Sequence, residues 1–343
     1  MIPTVAKSAP IVITDGDSFM SEQIPPRKVL IETRAGEPVF YEQSINQIFA
    51  WRGLGKTNLG LGLARAFACG ETLLNWRAAE RHRVLYIEGE VPASQLQERW
   101  RKIVGKTEGY ARLATLDKQP GNSFASMATE NGMQRVEAAL AQLEAEGFKT
   151  EVLMLDNIST LFNIRANDEE SWIVIQSWFT SLRSRGICLF FFHHAGKSGL
   201  SRSHSKSEDM LDTSIKLEAP KDPEQGHLHA VMTYDKARAG LSEPSCEILM
   251  HRTHSADCSC KTAATARWCG GDGVSWEYRL SKTKKEVASD LFGDGMSVAK
   301  VAAELGVALG TVKMWRTEWG RDNRLGGDLD RDLDRDLDRD LLM

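Results

Sequence analysis

The sequence predicts an α/β domain with a mostly parallel sheet, followed by a small domain built only of helices. Apolar runs of strand length alternate with stretches of helix length over most of the chain, which predicts three layers. A glycine-containing loop joins the first such strand to a helix. From about Lys284 the strand patterns stop and short helical patterns follow. A chain of 343 residues can bury a large core in one domain or two.

Near-continuous apolar runs are typical of strands covered on both faces, as in a parallel sheet. These strands are predicted at Ile45–Phe49, Arg83–Ile87, Val152–Leu155 and Ile187–Phe192. Helices are predicted at Leu59–Ala68, Ser94–Val104, Gly132–Glu146 and Glu170–Arg185. Three later runs alternate more and predict strands at an edge of the sheet: Leu228–Tyr234, Cys246–His251 and Val274–Leu280.

Composition divides the chain into four segments. Residues 1–36 are mixed and rich in Pro, Ser and charge, which predicts an N-terminal arm, and residues 37–282 form the predicted α/β domain. Residues 283–322 form the helical domain. Residues 323–343 contain an Asp-Leu-Asp-Arg repeat that cannot build a core. A solvated tail is favoured there over a functional acidic tail.

Cysteine content and hydropathy argue against a disulfide-rich protein and a membrane-spanning protein, whereas net charge leaves the partner open. The net charge of −4 combines basic clusters at 196–206 and 279–285 with an acidic tail, so it neither predicts nor excludes nucleic acid. Six cysteines in so long a chain indicate reduced thiols and a cytoplasmic protein. The longest apolar run, 187–192, is far too short to span a bilayer, so no membrane partner is expected.

The loop between the first strand and its helix has the spacing of a P-loop, G-x-x-x-x-G-K-[ST]. Its residues are Ala50, Trp51, Arg52, Gly53, Leu54, Gly55, Lys56 and Thr57, with Ala50 in place of the first glycine. Backbone N–H groups of such a loop and of the helix N-terminus bind phosphate oxygens. Lys56 is expected between the β- and γ-phosphates, and the Thr57 hydroxyl on Mg²⁺. The alternative is an ordinary glycine-containing turn.

Polar side chains follow the other predicted parallel strands, where ligands of α/β sheets collect. Asp156 ends the run 152–155 and is predicted to hold the Mg²⁺ shell. Glu88 and Glu90 follow the strand at 83–87; either could be the base that orients water, and the other a solvated loop charge. His193 and His194 end the strand at 187–192 and could sense a γ-phosphate by hydrogen bonding.

This order of motifs resembles the RecA-like P-loop ATPases, and within that group the hexameric replicative helicases of the plasmid RepA type. The resemblance covers roughly residues 37–250. It implies that Glu90 is the catalytic base and His194 the γ-phosphate sensor. It further implies that Lys236-x-Arg238 reaches a neighbouring subunit, with Arg238 as arginine finger and Lys236 as its companion. ATP and Mg²⁺ are the implied cofactors, and a ring-shaped homo-hexamer on DNA is the implied assembly.

Two segments carry possible DNA contacts. The loop at 196–208 corresponds to the pore loop of RecA-like motors, and its Lys197, Arg202 and Lys206 could pair with phosphates. Simple disorder of that loop is equally open. Residues 297–316 resemble a helix-turn-helix with Gly306 at the turn. Its second helix would present Thr311, Lys313, Met314 and Arg316 to DNA, or the helices would serve protein contacts.

A weaker pattern contains the residues His251, His254, Cys258, Cys260 and Cys269. It could form a zinc site, but loose, reduced cysteines are favoured because the Cys-x-Cys gap is short.

The resemblance, together with the motifs, implies an ATP-dependent DNA helicase or translocase that serves replication of a plasmid, phage or other mobile element. The alternative is a DNA-binding regulator that uses ATP as an oligomerisation switch without unwinding.

Overall fold

A computed structural model describes residues 11–163, 169–195, 209–224, 227–238, 245–251, 268–270, 274–280 and 284–322. The strands in these ranges are β1 (Val29–Thr33), β2 (Pro38–Tyr41), β3 (Ile45–Ala50), β4 (Thr72–Leu73), β5 (Trp76–Arg77), β6 (Val84–Glu88), β7 (Ala111–Thr115), β8 (Val152–Asp156), β9 (Cys188–His194), β10 (Thr213–Glu218), β11 (Leu228–Ala237), β12 (Cys246–His251), β13 (Trp268–Gly270) and β14 (Val274–Leu280). The helices are α1 (Gly16–Ser21), α2 (Lys56–Cys69), α3 (Ala93–Arg99), α4 (Glu130–Ala145), α5 (Ile158–Leu161), α6 (Glu169–Ser184), α7 (Lys284–Gly293), α8 (Val298–Leu305) and α9 (Leu309–Asp322).

A large, mostly parallel sheet is the centre of the fold. Its ten described strands lie in the order β13-β14-β12-β11-β10-β3-β9-β8-β6-β7. From β10 to β7 all neighbours are parallel, whereas β11, β12, β14 and β13 continue one side of the sheet as antiparallel strands. The predicted α/β class and the predicted late strands at one edge of the sheet are confirmed.

Strand side chains alternate between two apolar cores, one on each face of the sheet. On β9, Phe190 and Phe192 belong to one core, while Leu189 and Phe191 belong to the other. The first core lies under α2 and a four-stranded sheet of β2, β1, β5 and β4. The second lies under α4, α5 and α6. Both faces of the sheet are therefore covered at its centre, which explains why β6, β8 and β9 are almost entirely apolar before their last residues.

Three features differ from the predicted organisation. The β1–β2 hairpin crosses residue 36 and buries Leu30 and Ile31, so the folded domain begins before the predicted boundary. Strands β7 and β10 lie where no strand was predicted, and Thr213–Glu218 carries polar residues that break the apolar pattern. The predicted helix at 94–104 is α3 continued by a π-helical turn, Trp100–Val104.

Helices α7, α8 and α9 pack around a small apolar core of their own. Phe292, Val301 and Val312 are buried there, with Trp315 and Trp319 packed against them. The Ser297 side chain caps α8 by accepting a hydrogen bond from the Lys300 N–H. Gly306 ends α8 in the left-handed conformation, with φ 57° and ψ 47°, which lets the chain turn into α9.

No helix within the described ranges has both the length and the apolar character required to cross a membrane.

Phe190 is expected to contribute strongly to stability, because it is fully buried between two other aromatic rings. Its ring centroid lies 4.8 Å from that of Phe40 and 5.8 Å from that of Phe67. We expect Phe190→Ala to lower the free energy of unfolding by about 3–5 kcal/mol, measured by urea denaturation. Ile173→Ala, at a side chain that is 53% exposed, should change it by less than about 0.5 kcal/mol. Equal losses in both variants would contradict this packing.

Candidate nucleotide-binding and catalytic site

The P-loop joins β3 to α2 at the carboxyl ends of the parallel strands. β3 ends at the buried Ala50, and α2 begins at Lys56. Gly53 and Gly55 both have a φ of 84°, which favours glycine. At Gly55 a Cβ would also lie 2.3 Å from Leu228 Cδ1. These glycines let the backbone turn tightly into the helix.

The P-loop and the first turn of α2 bring several backbone N–H groups close together. α2 has 14 residues, and the N–H groups of its first turn have no partner within the helix. Trp51 and Arg52 are exposed, whereas Leu54 is half-buried and packs against the first core. Such a helix N-terminus favours a phosphate group, through both its N–H groups and its dipole.

Lys56 lies inside the site with only 7% of its surface exposed. Its Nζ is 3.1 Å from His194 Nδ1 and 3.4 Å from the Ala50 carbonyl oxygen. Burial lowers the pKa of Lys56, while the nearby Asp156 and Glu90 carboxylates oppose that change. The ammonium is thus held in a polar pocket beside the loop, where it can meet an anionic ligand.

The two histidines at the end of β9 have different environments, because successive strand residues face opposite sides of the sheet. His194 faces the P-loop and contacts Lys56. His193 faces the other core, where its ring lies 6.3 Å from that of Trp172. His193 Nδ1 lies 2.8 Å from the His194 carbonyl oxygen.

Asp156, at the end of β8, is fully buried beside the P-loop threonine. Its carboxylate accepts hydrogen bonds from the Thr57 hydroxyl and, at 2.7 Å, from the Tyr86 hydroxyl. Burial raises the pKa of Asp156, and the two hydrogen bonds and the charge of Lys56 oppose the increase. The predicted pair of metal-binding residues therefore lies in direct contact.

Glu88 is a buried member of the site, so its alternative interpretation as a solvated loop charge is wrong. It is 1% exposed and lies opposite Asp156 in the pairing of β6 with β8. Its Oε1 accepts the N–H groups of Glu90 and Val91 at 2.8 and 2.9 Å. Burial, followed by the charge of Asp156, raises the pKa of Glu88 to about 8.

The oxygen atoms of Thr57 and of the carboxyl groups at the strand ends fit a divalent cation. The Thr57 hydroxyl and the Asp156 carboxylate are adjacent, and Mg²⁺ prefers such ligands together with water and phosphate oxygens. Glu88 Oε2 is buried without a hydrogen-bond partner in the described part of the chain. A cation would compensate two neighbouring buried carboxyl groups that otherwise repel each other.

Glu90 lies at the open side of the same cluster. Its side chain is 52% exposed, its Oε2 is 3.7 Å from His194 Nε2, and it accepts a hydrogen bond from the Asn157 amide. An exposed carboxylate that neighbours both a P-loop lysine and a histidine can meet a water molecule from solvent. The structure thus places Glu90, His194, Lys56, Thr57 and Asp156 together.

Lys236 and Arg238 lie elsewhere, toward the amino ends of the parallel strands. Lys236 pairs with Ser214, which in turn pairs with Gln47 on β3. At about 3.3 Å per residue, Ala50 lies roughly 10 Å further along that strand. Because β11 is antiparallel, its last residues point away from the P-loop of the same chain.

The backbone and side chain of Arg238 are anchored at that distant end. Its N–H donates to the Asp212 carbonyl oxygen at 2.8 Å, and its guanidinium donates to the Asp209 carbonyl oxygen. Asp212 is buried, forms an ion pair with Arg27 at 3.2 Å and accepts the Ile45 N–H at 3.0 Å. Arg238 itself is exposed.

The other predicted ligand-binding residues belong to the basic loop at 196–208 and to the His/Cys pattern. Lys197, Arg202 and Lys206 lie outside the described residues, as do His254, Cys258 and Cys260 and the side chain of Cys269. His251 Nε2 is 3.1 Å from Glu277 Oε2. In the ranges that the structure describes, no group of three or more His, Cys, Asp or Glu is arranged to hold a metal ion.

On α9 the predicted DNA-contacting residues differ in exposure. Lys313 and Met314 are exposed, and Thr311 is half-buried. The Arg316 guanidinium lies 4.4 Å from the Trp319 ring centroid and 5.0 Å from that of Phe292, so it packs on the helical domain.

The P-loop, the buried acidic strand ends and the mostly parallel sheet define a P-loop ATPase with a RecA-like core. The profile of a family described as AAA domain matches residues 8–199, more than half of the chain. The chain belongs to this AAA domain family. No curated protein matches it.

Among solved structures, the chain is similar to a KaiC-like protein from the hyperthermophilic archaeon Pyrococcus horikoshii OT3. The two share 16% sequence identity with a TM-score of 0.47. The similarity covers 65% of this chain and 94% of that protein.

Sequence reasoning missed Asn157 and Tyr86, which both contact predicted site residues. Asn157 follows Asp156 directly and precedes Thr160 by the spacing of an N-cap, so a cap signal was present in the sequence. Tyr86 lies within an apolar run, and only the pairing of β6 with β8 brings it to Asp156.

The raised pKa of Glu88 predicts a pH-dependent stability. A carboxyl group whose folded pKa lies above its unfolded value binds more protons in the folded state, so stability falls as pH rises from about 4.5 to about 8. Glu88→Gln keeps an oxygen for the two N–H groups and removes the ionisation. Without Mg²⁺ and nucleotide, we expect this variant to gain stability relative to the wild type at pH 8 but not at pH 4.5, measured by urea denaturation. A difference that does not change with pH would contradict this assignment.

Proposed function

We propose that this chain is an oligomeric, Mg²⁺-dependent ATPase that unwinds or moves along DNA, in replication of a plasmid, phage or other mobile element. The observation that supports the ATPase activity best is the cluster of Lys56, Thr57, Asp156, Glu90 and His194 around the P-loop. The helicase or translocase role is the finer proposal. It draws on the motif order, on the placement of Arg238 and on the segments with basic residues.

Each residue of the cluster has a defined task in this proposal. The P-loop N–H groups and Lys56 bind the β- and γ-phosphates and stabilise the charge that develops on them. Glu90 accepts a proton from the attacking water, and His194 contacts the γ-phosphate from the side of β9. Thr57 and Asp156 would hold Mg²⁺, which neutralises phosphate charge when bound.

The position of Arg238 supports action on a neighbouring copy. Its exposed side chain lies at the end of the sheet opposite its own P-loop, so it does not reach its own Lys56. In a head-to-tail ring, the P-loop end of one copy faces the opposite end of the next. Arg238, with Lys236 beside it, could then stabilise charge on the neighbour's γ-phosphate.

An apolar N-terminal segment also supports a homo-oligomer. Ile11, Val12 and Ile13 are 89%, 90% and 88% exposed, Met20 is 78% exposed, and α1 has no buried residues. Contiguous exposed apolar side chains are characteristic of surfaces that bind another protein. Arg27, at the end of this segment, pairs with Asp212 next to the Arg238 backbone. The segment therefore leaves the domain on the Arg238 side.

DNA binding is proposed for two segments. Lys197, Arg202 and Lys206 would contact phosphates of a single strand in the pore of a ring. Thr311, Lys313 and Arg316 would contact a duplex, with the exposed Lys313 as the main charge, because Arg316 also packs on Trp319 and Phe292.

The helical domain favours a second candidate function. A compact three-helix unit with a left-handed glycine between α8 and α9 and an exposed lysine on α9 suits a sequence-reading regulator. In that case ATP would control oligomerisation, and no strand separation would occur. Strand displacement separates the two candidates.

The central test measures ATP hydrolysis and the unwinding of a forked duplex by the purified full chain with Mg²⁺. We expect both activities in the wild type and neither in Lys56→Ala, because the buried ammonium stabilises the transition state. Lys149→Ala, which removes an exposed cation before β8, at the opposite end of the sheet, is the control and should keep hydrolysis. Full hydrolysis by Lys56→Ala would contradict the site. Hydrolysis and duplex binding without unwinding or translocation would support the regulator.

Mixing two inactive variants tests whether Arg238 acts on a neighbouring copy. Arg238→Ala and Glu90→Gln should each lose activity, Arg238→Ala by roughly a thousandfold or more. Mixed oligomers should regain part of it, because an interface can combine an intact base from one copy with an intact finger from the next. No recovery at any ratio, with mixed oligomers demonstrated, would contradict action in trans.

A further inference from the structure

We propose that Asn157 is a positioning residue that holds the Glu90 carboxylate beside His194, so that base and sensor stay adjacent. The proposal rests on the ATPase function proposed above and concerns a residue that none of the motifs includes. It is carried by the contacts of both ends of the Asn157 side-chain amide.

The side-chain oxygen of Asn157 caps a helix. Asn157 is the N-cap of α5, and its Oδ1 accepts the Thr160 N–H at 3.2 Å. The residue is 1% exposed, so its side chain has little freedom to rotate. Because an N-cap requires an acceptor, Oδ1 must face the helix and Nδ2 must face the site.

The nitrogen end of the amide then reaches the base. Nδ2 donates to Glu90 Oε2 and lies 3.4 Å from His194 Nε2. The Glu90 side chain is 52% exposed, and a glutamate in solvent samples several rotamers. A donor on a buried, capped residue selects the rotamer that directs the carboxylate toward His194.

The tautomer of the His194 ring is consistent with this arrangement of Asn157 and Glu90. An ammonium group only donates, so Lys56 Nζ, 3.1 Å away, makes Nδ1 the acceptor. In the neutral ring the proton is then on Nε2, which lies 3.7 Å from Glu90 Oε2. The His194 Nε2–H thus lies near the carboxylate at more than hydrogen-bond distance, and the Asn157 amide is the donor that holds the carboxylate. Removal of the Asn157 amide leaves the carboxylate with the 3.7 Å contact to His194 Nε2.

Variants at position 157 separate positioning from helix capping. Asn157→Asp keeps the capping oxygen, loses the amide donor and adds a charge that repels Glu90. Asn157→Ser keeps a short capping hydroxyl but does not carry an amide. Thr160→Val, in the same turn, removes a hydroxyl that lies 3.1 Å from the Asn157 carbonyl oxygen and 3.4 Å from Asn157 Oδ1. It keeps both the Asn157 amide donor and the Thr160 N–H that the cap requires. Thr160→Val is therefore the matched control.

The experiment measures steady-state ATP hydrolysis by the full chain against ATP concentration, together with thermal unfolding. We expect kcat to fall about 10- to 100-fold in Asn157→Ser and at least as much in Asn157→Asp. KM should stay within about twofold, and Thr160→Val should resemble the wild type. In a Glu90→Gln background, Asn157→Ser should cause no further loss, because the base it positions is already absent.

Three results would overturn the inference. One is an unchanged kcat in a folded Asn157→Asp protein. Another is an equal loss in the Glu90→Gln background, since a purely structural role would persist there. The third is a loss of equal size in Thr160→Val. Absence of hydrolysis in the wild type would instead contradict the proposed function, so the two failures are distinguishable.

Discussion

The burial of opposite charges at the carboxyl ends of the parallel strands is the constraint on which the site depends. Lys56, Glu88 and Asp156 are 7%, 1% and 2% exposed. A buried charge without a partner costs several kcal/mol, so these groups are tolerable only near one another and near hydrogen-bond donors. Parallel pairing of β3, β9, β8 and β6 brings their last residues to the same end of the sheet. The apolar residues before those ends form the two cores that fix the spacing.

The sequence was sufficient to predict the parts that local patterns determine. Both faces of a parallel strand are buried, so the runs before Ala50, Asp156 and His194 are apolar and identifiable. Glycines at 53 and 55 and the following Lys-Thr pair predict the P-loop, because few other structures need them at that spacing. The edge position of the late strands followed from their alternation.

Contacts between distant strands were beyond local patterns. Glu88 and Glu90 are only two residues apart, yet strand pairing buries the first against Asp156 and leaves the second at the surface. Asn157 was passed over because its caps and contacts involve Thr160, Glu90 and His194 at once. Strand β10 was missed because its polar residues, such as Lys216, interrupt the apolar pattern. The hairpin that crosses residue 36 was not predicted, because the segment before that residue is mixed and rich in charge.

In the proposed function, the site of one copy is completed by Arg238 of a second copy. Lys56 lies at one end and Arg238 at the other. Electron microscopy of the full chain with Mg²⁺, a non-hydrolysable ATP analogue and single-stranded DNA tests this most directly. The account predicts a ring in which each nucleotide lies between copies, with Lys56 of one copy and Arg238 of the next on the same γ-phosphate. A nucleotide enclosed by a single copy, with Arg238 remote from every phosphate, would contradict it.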